Sequence, residues 1–339
     1  MIDEQAARDL VTAYVRAYHE VWKSAVERYA KEVDFDDWAE IIGALDHHYF
    51  APGGGSGYGT SFGDHPELDP TTEELGAFVP GADVAVLEST AKREYMGEYH
   101  EWELVLVGGH PRLRKLRTFL DSKGTPNVDP ELAEDVLAAP SSTADLRALD
   151  DAPPDEAMLF AAGREVTVAG SPAKLEVRAL GSLVTASGIL SARDLGYDPS
   201  DLAAFARKVP PGAYAVDVAV AADTVLALRV RLSDEPVVAW HPADLGDDNH
   251  VIGVDAANVA IFDVVSFTKI DAWTRERLYE THVVEGGNPF ASVFALQPGG
   301  ATDCALATSG YGDGAYPCFW GVDARGGIAR LVVDFLVLA

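Results

Sequence analysis

The sequence predicts an α+β domain followed by a mainly antiparallel β domain. Apolar residues recur at intervals of three and four over residues 6–29, which is the period of an amphipathic helix. Apolar and polar residues alternate over residues 94–107, as in a strand with one buried face. Beyond residue 157, short β-branched runs are separated by Gly, Pro and Asp. A chain of 339 residues is long enough for two such domains.

Two helices are predicted near the start of the chain. No Pro or Gly interrupts residues 6–29, and Asp3 and Glu4 precede them, where the positive end of a helix dipole favours acidic side chains. A second, shorter amphipathic helix is predicted over residues 37–47. Residues 52–59 are rich in glycine, but no Gly-Lys-Ser or Gly-Lys-Thr follows them, so they do not form a phosphate-binding motif. We expect a flexible surface loop there.

Three strands are predicted after this loop, over residues 83–90, 94–107 and 112–120. Helices followed by an antiparallel sheet define an α+β domain, which we assign to residues 1–125. The next residues, 126–157, are acidic and rich in proline and are predicted to form a linker.

Residues 158–339 are predicted to form the mainly β domain, because tight-turn residues punctuate its short strands. Two helices are expected inside it, at residues 200–207 and 274–280. A third short helix is expected within the linker, at residues 131–138.

The charge of the chain argues against nucleic acid as a partner. It contains 54 acidic and 26 basic residues, a net charge of −28, with −11 on residues 1–125 and −17 on residues 126–339. Binding to phosphates needs clustered Lys and Arg. Solubility alone can explain such a charge, and so can a protein partner with a basic surface, because opposite fields speed association.

No membrane span, targeting segment or disulfide framework is expected. The apolar runs fall far short of the roughly 20 residues that cross a bilayer, and the acidic N-terminus does not fit a secretory or transit peptide. Cys304 and Cys318 are the only cysteines and are expected to be buried thiols. We therefore expect a cytoplasmic protein.

Three aspartates are the candidate catalytic residues if the protein is an enzyme. Residues 251–263 are predicted to form two short strands around residues 256–258, so that Asp255 and Asp263 can approach each other across a hairpin. Asp313 lies in the glycine-rich residues 308–317, where close backbone approach to a ligand is possible. Converging carboxylates can bind a divalent cation and support hydrolysis. The alternative is that these aspartates stabilise local turns, since short acidic side chains bond to nearby backbone.

Short motifs occur in a fixed order in the C-terminal half, at residues 187–189, 209–216, 254–255, 262–263, 309–317, 321–323, 326 and 333–335. In these motifs the C-terminal half resembles a bacterial family of unknown function, the domain of unknown function 4241. The sequence departs from the family at residues 192–194, Ala-Arg-Asp, where members tend to carry Cys-Asp-Pro or Asp-Pro. The resemblance implies no particular reaction.

The N-terminal half combines a long first helix with a hairpin of residues 99–107 and 113–120. In these features it is similar to the nuclear-transport-factor-2-like (NTF2-like) immunity proteins of bacterial polymorphic toxin systems. It implies an NTF2-like cone, a long helix packed on a curved antiparallel sheet. Other members of that fold are enzymes or small-molecule binders, so the fold does not settle the function.

Together these features predict a non-enzymatic binding protein, an immunity protein that neutralises a basic toxin without a cofactor. The expected partner-binding residues are Glu94, Glu98, Tyr99, Glu101, Trp102 and Glu103, with Tyr99 or Trp102 as an aromatic anchor. The alternative for these residues is a solvated strand face. The alternative functions are a metal-assisted hydrolase or small-molecule binder that uses Asp255, Asp263 and Asp313, and a fusion of separate sensor or scaffold domains.

Overall fold

The computed structural model of the chain describes residues 1–28, 35–60, 62–63, 65–92, 97–150, 152–246 and 249–338. The chain forms two compact units, Met1–Ser122 and Lys123–Ala339. Helices and antiparallel sheets are both present, so the chain has the α+β character that the sequence predicts. Within the described residues, no helix is long and apolar enough to cross a membrane.

Unit 1 begins with two helices, α1 (Glu4–Arg28) and α2 (Phe35–Tyr49). The buried face of α1 includes Val11, Tyr14 and Tyr18, whose spacing of three and four residues is the helix period. The two helices predicted from the sequence are therefore confirmed.

The described part of unit 1 also contains a five-stranded sheet. Its strands are β1 (Phe50–Gly55), β2 (Glu73–Val79), β3 (Ala85–Lys92), β4 (Gly97–Val107) and β5 (His110–Phe119). Their order is β1-β5-β4-β3-β2, and all neighbours are antiparallel except β1 and β5. The core of the unit joins this sheet to the helices through large side chains such as Tyr14, Trp38 and Trp102.

The flexible loop predicted over residues 52–59 is wrong for its first half, because β1 occupies Phe50–Gly55. Glycine is needed in this strand because a Cβ at Gly54 would collide with the backbone carbonyl of Arg114 in β5. The same glycines that suggest a loop in the sequence allow β1 to approach β5 closely.

Unit 2 is built mainly from strands. They are β6 (Glu165–Val168), β7 (Ser171–Lys174), β8 (Glu176–Thr185), β9 (Leu190–Arg193), β10 (Gly212–Ala221), β11 (Thr224–Arg231), β12 (Val237–Pro242), β13 (Val251–Val254), β14 (Asn258–Asp263), β15 (Ala291–Phe294), β16 (Cys304–Thr308), β17 (Gly314–Asp323) and β18 (Ile328–Asp334).

Two antiparallel sheets organise the described part of unit 2. One is seven-stranded in the order β12-β17-β18-β11-β10-β8, with β13 also pairing with β17; the other is four-stranded in the order β15-β16-β14-β9. Strands β6 and β7 form a separate hairpin.

Strand β14 is buried along its whole length. Val259 and Ile261 belong to the core shared with the seven-stranded sheet, whereas Ala260 and Phe262 belong to a core shared with helices. The four-stranded sheet is therefore the middle of three layers.

The helices of unit 2 are α3 (Pro130–Ala138), α4 (Glu156–Leu159), α5 (Val264–Phe267) and α6 (Ala272–Tyr279), and a π-helical turn, Glu280–Val284, extends α6. An aspartate caps the N-terminus of each α-helix: Asp129, Asp155, Asp263 and Asp271. The helices predicted at residues 131–138 and 274–280 are confirmed.

The helix predicted over residues 200–207 is wrong. Only a 3-10 turn, Pro199–Asp201, forms there. The backbone N–H of Phe205 donates to Leu190 and that of Ala206 to Asp244, so tertiary partners take the hydrogen bonds that a helix would need. The local spacing of apolar residues cannot reveal that distant residues compete for these backbone hydrogen bonds.

The acidic residues 126–157, for which composition predicts a linker, lie in unit 2. Asn127, Val128 and Val136 are buried, and the backbone N–H of Ser141 donates to Ala206. This proline-rich segment is therefore packed against the rest of unit 2 and does not form a free linker.

Candidate functional site

Three loops of unit 2 lie together on its surface. They are residues 194–201 after β9, residues 255–257 between β13 and β14, and residues 309–313 between β16 and β17. We call them the loop cluster. Hydrogen bonds from each loop to the turn at 255–257 hold the cluster together.

The carboxylate of Asp194 connects the first two loops. One oxygen accepts from the backbone N–H of Asp255 at 2.9 Å and of Ala256 at 2.6 Å. The other accepts from the backbone of Gly196 and from the Asn258 amide, both at 2.8 Å. Asp194 is buried. With four donors it is a structural anchor, because a buried carboxylate needs such partners.

The glycine-rich loop is fixed by its own hydroxyl groups. The Tyr316 hydroxyl donates to the carbonyls of Ser309 at 3.0 Å and Gly312 at 2.7 Å, and the Ser309 hydroxyl donates to Gly312 at 2.8 Å. The backbone N–H of Ala257 donates to the carboxylate of Asp313 at 3.2 Å, and that of Ser309 donates to Ala257. The loop is therefore preorganised.

Two tyrosine rings project from this rigid cluster. Tyr197 is 45% exposed and Tyr311 is 61% exposed. The Tyr197 hydroxyl donates to Asp255 at 3.1 Å, and this hydrogen bond together with the negative charge of Asp255 raises the pKa of Tyr197. The Tyr311 hydroxyl accepts from the backbone N–H of Ala169 at 3.1 Å. Exposed aromatic rings thus stand beside exposed carboxylates, a combination typical of protein interfaces.

A cleft of about 450 Å³ opens beside the loop cluster, between β9 and β13. Arg193 and Asp201 form an ion pair in its wall, with the nitrogen and oxygen 3.1 Å apart. Burial lowers the pKa of Arg193, and the charge of Asp201 opposes that effect. The carboxylates of Asp201 and Asp255 are exposed at the rim of the cleft, where Asp201 pairs with Arg193 and Asp255 accepts from Tyr197.

The structure brings together two of the three candidate catalytic aspartates. Asp255 and Asp313 both lie at the 255–257 turn. Asp263 lies at the far end of β14, about 17 Å away at 3.3 Å per strand residue. The predicted convergence of all three is therefore wrong. Within the described residues, no group of three or more His, Cys, Asp or Glu side chains is placed to hold a metal ion.

Asp263 instead holds the loop that precedes β9. Its buried carboxylate accepts from the Thr185 hydroxyl at 2.6 Å, the Ser187 hydroxyl at 2.7 Å and the Ser187 backbone at 3.0 Å. It also accepts from the backbone of Ser266 at 3.1 Å as the cap of α5. These contacts supply the buried Asp263 carboxylate with all of its hydrogen-bond donors from within the fold.

Cys304 and Cys318 are buried and free, as the sequence predicts. Burial raises the pKa of both thiols, which keeps them protonated. Because the thiolate is the reactive form, neither cysteine is suited to act as a nucleophile.

The predicted partner-binding strand of unit 1 is largely buried. Trp102 is fully buried and its indole donates to the Ser89 hydroxyl at 2.7 Å, so Trp102 is a core residue and its prediction as an interface anchor is wrong. Trp102 and Leu104, two residues apart in β4, both belong to the core that contains residues of α1 and α2. Tyr99 is half-buried.

The glutamates of this strand have different surroundings. Glu101 and Glu103 are buried and form ion pairs with Arg117, and Arg114 also donates to Glu103 at 2.7 Å. Burial alone would raise the pKa of Glu103. The hydrogen bonds and positive charges of Arg117 and Arg114 outweigh burial and hold this pKa below its ordinary value. Glu98 is half-buried, and Glu94 lies outside the described residues. Glu101 and Glu103 thus present no free charge to a partner.

Unit 1 also holds a polar network that sequence reasoning missed. His100 is buried, with its Nδ1 2.8 Å from a Glu73 carboxylate oxygen. The Tyr58 hydroxyl lies 2.8 Å from the Thr118 hydroxyl, and burial raises the pKa of Tyr58. The burial of His100 makes this network part of the core.

Unit 2 is thus a layered antiparallel β protein with a rigid loop cluster beside a polar cleft. Residues 183–333 match the model of the family described as "Protein of unknown function (DUF4241)", which supports the resemblance seen in the sequence of this half. The match includes the loop cluster and both walls of the cleft. No curated protein and no solved structure matches the chain significantly.

Proposed function

We propose that this is a non-enzymatic binding protein that neutralises a basic partner protein, as an immunity protein neutralises a polymorphic toxin. The observation that carries the proposal is the loop cluster, where the exposed rings of Tyr197 and Tyr311 flank the carboxylates of Asp255 and Asp313. Tyrosine is enriched among residues that dominate binding energy. A preformed surface also loses little conformational entropy on association.

The charge of the chain supports a basic partner. A net charge of −28 creates a field that attracts positive surfaces and speeds encounter at low salt. At the loop cluster, Lys and Arg side chains can pair with the carboxylates and pack on the tyrosine rings. We therefore propose that the interface lies in unit 2 and not on the strand residues of unit 1.

We further propose an NTF2-like cone for unit 1. Two helices precede the sheet, and β1 pairs in parallel with β5 beside an otherwise antiparallel β5-β4-β3-β2 arrangement. The core formed by Tyr14, Trp38 and Trp102 also supports this proposal, because it packs the helices against the sheet.

The first test is capture of the partner with the full-length chain from its native cells, at low and high salt. A stoichiometric basic protein that is released as salt rises is the expected result. Absence of any protein partner at either salt would contradict the binding function.

Tyrosine variants then locate the interface. We expect Tyr197→Ala combined with Tyr311→Ala to weaken the affinity for the captured protein at least tenfold, whereas the control Val238→Ala, an exposed apolar residue in β12, leaves it unchanged. Equal affinities of the two variants, measured by calorimetry, would place the interface elsewhere.

A small-molecule binder is the second candidate. The cleft of about 450 Å³ falls in the size range of ligand pockets and has both polar and apolar walls. A metabolite that co-purifies with the chain and raises its melting temperature would favour this function.

A further inference from the structure

A second cavity of unit 2 opens where β8 packs on β15. A Cβ at Gly181 of β8 would lie 2.9 Å from a methyl group of Val293 in β15, so the two strands are in close contact. The cavity has a volume of about 360 Å³, within the range of small-molecule sites. It shares no lining residue with the cleft beside the loop cluster. We call it the side pocket.

The floor of the side pocket is one face of the seven-stranded sheet. Arg178 of β8 pairs directly with Val218 of β10, and Val220 pairs with Val225 of β11. Directly paired residues share a face, as do residues two apart in a strand. The three valines are buried and belong to the core of the sheet. The floor is therefore an apolar extension of that core.

The opposite wall comes from the π-helical turn and from residues 289–292. His282 of the turn stacks on Phe294 of β15, with ring centroids 3.8 Å apart and planes at 6°. This stacking fixes the plane of the imidazole. A π-helical turn is uncommon and is frequently found at functional sites.

Arg178 offers a guanidinium edge to the pocket. Its Nε and Nη2 donate to a single oxygen of Glu176, at 3.0 and 2.8 Å. Within the described part of the chain, its Nη1 has no hydrogen-bond partner. The pair is weak because both side chains are about half exposed. The fork of five N–H donors therefore leaves room for a second carboxylate.

His282 offers a second hydrogen-bonding group. Burial lowers the pKa of His282, and no carboxylate among the described residues opposes this effect. The imidazole is therefore neutral near pH 7 and has one N–H to donate. Its ring nitrogens make no hydrogen bond to any described residue, so the donor is available to a ligand.

The charge of the side pocket differs from that of the rest of the chain. Among the described residues that line it, none is acidic and Arg178 is basic. In contrast, three aspartates line the cleft beside the loop cluster. The chain carries 54 acidic residues and a net charge of −28, so a basic pocket free of acidic residues favours an anionic ligand.

We propose that the side pocket binds a small apolar carboxylic acid, with its hydrocarbon part on the valine floor and its carboxylate at Arg178 and His282. Transfer of the hydrocarbon out of water favours binding, and the carboxylate accepts charge-assisted hydrogen bonds from the guanidinium. The site uses none of the residues of the loop cluster. It is therefore a further binding site, beyond the proposed neutralisation of a basic protein.

The probes are octanoate, octanol and acetate, measured by calorimetry with the full-length chain. Octanol keeps the hydrocarbon without the charge, and acetate keeps the charge without the hydrocarbon. We expect one octanoate to bind per chain, with an affinity about tenfold above that of either of the other probes.

Arg178→Gln is the decisive variant, and Arg325→Gln is its matched control because Arg325 also forms an exposed pair with a glutamate, Glu235. We expect Arg178→Gln to weaken octanoate binding about tenfold and Arg325→Gln to leave it unchanged. Glu176→Gln should strengthen binding, because it removes the competing carboxylate. Octanol binding should be the same in all three variants. Melting temperatures verify that each variant is folded.

Nuclear magnetic resonance of the valine methyl groups locates the ligand. We expect the signals of Val218, Val220 and Val225 to shift when octanoate binds. The proposal is wrong if octanoate does not bind, if octanol binds equally well, or if Arg178→Gln matches Arg325→Gln. Saturation by octanoate without these shifts would also overturn it. None of these measurements involves the basic partner protein, so their failure would leave the proposed function standing.

Discussion

Aspartates that resemble a catalytic set in the sequence have separate structural tasks in the folded chain. Asp263 caps α5 and holds residues 185–187 through four hydrogen bonds. Asp194, which the sequence did not single out, ties the loop cluster together. The chemical type of a residue is visible in the sequence, but its partners depend on strand pairing between distant segments.

Removal of the Asp263 carboxylate is expected to destabilise the protein strongly. Asp263→Ala leaves several buried donors without an acceptor, so we expect a loss of about 2–4 kcal/mol in the free energy of unfolding. Asp234→Ala is the control, because the side chain of Asp234 is fully exposed, and we expect a change within about 0.5 kcal/mol. Urea unfolding measures both. Equal midpoints would show that the hydrogen bonds of Asp263 are unimportant for stability.

Asp334 is expected to make stability depend on pH. Burial raises the pKa of Asp334 above its ordinary value of 3.8, although the backbone N–H of Leu336 opposes this. Its ionised form is therefore disfavoured in the folded state, and stability falls as the pH rises from the unfolded to the folded pKa. Asp334→Asn keeps an acceptor for Leu336 without the charge. The melting temperature of the Asp334→Asn variant should exceed that of the parent at pH 7 and equal it at pH 3. The control variant Asp234→Asn should melt at the same temperature as the parent at both pH values.

At the scale of elements, regular periodicity was informative and local composition was not. The apolar spacing predicts α1 correctly, and alternation predicts most of β4. The strands β1, β2, β7 and β9 were not predicted; β1 is rich in glycine, and β7 and β9 are only four residues long. Of the candidate site, Asp255 and Asp313 could be predicted from turn chemistry. Tyr197 and Asp194 could not, because their role depends on β9 lying beside β14.

Two glycines of unit 1 should respond oppositely to the same substitution. Gly54→Ala places a Cβ against the carbonyl of Arg114, so we expect it to destabilise the unit by about 1–3 kcal/mol by separating β1 from β5. Gly43 lies on the exposed side of α2 with nothing within 4 Å of its Cβ position. Gly43→Ala should therefore stabilise the protein by about 0.5–1 kcal/mol through helix propensity. Thermal unfolding that moves in the same direction for both variants would contradict this assignment.

At the scale of the whole molecule, each unit has its own hydrophobic core. Among the described residues, the core of unit 1 joins α1 and α2 to its sheet, and unit 2 has one core on each face of β14. The division falls between Ser122 and Lys123. Separate cores satisfy the main requirement for independent folding, and the proposed interface lies wholly within the second unit.

These facts predict that residues 123–339 fold and bind without the first unit. We expect this fragment to unfold cooperatively on heating and to bind the captured basic protein within threefold of the intact chain, because the tyrosines of the loop cluster and both walls of the cleft belong to it. Residues 1–122 should also unfold cooperatively but should not bind. Calorimetry of both fragments and the full chain tests this, with Tyr197→Ala combined with Tyr311→Ala in the fragment as the binding control. If the folded fragment 1–122 alone retains the affinity, the interface belongs to unit 1, and the assignment to the loop cluster and the cleft is wrong.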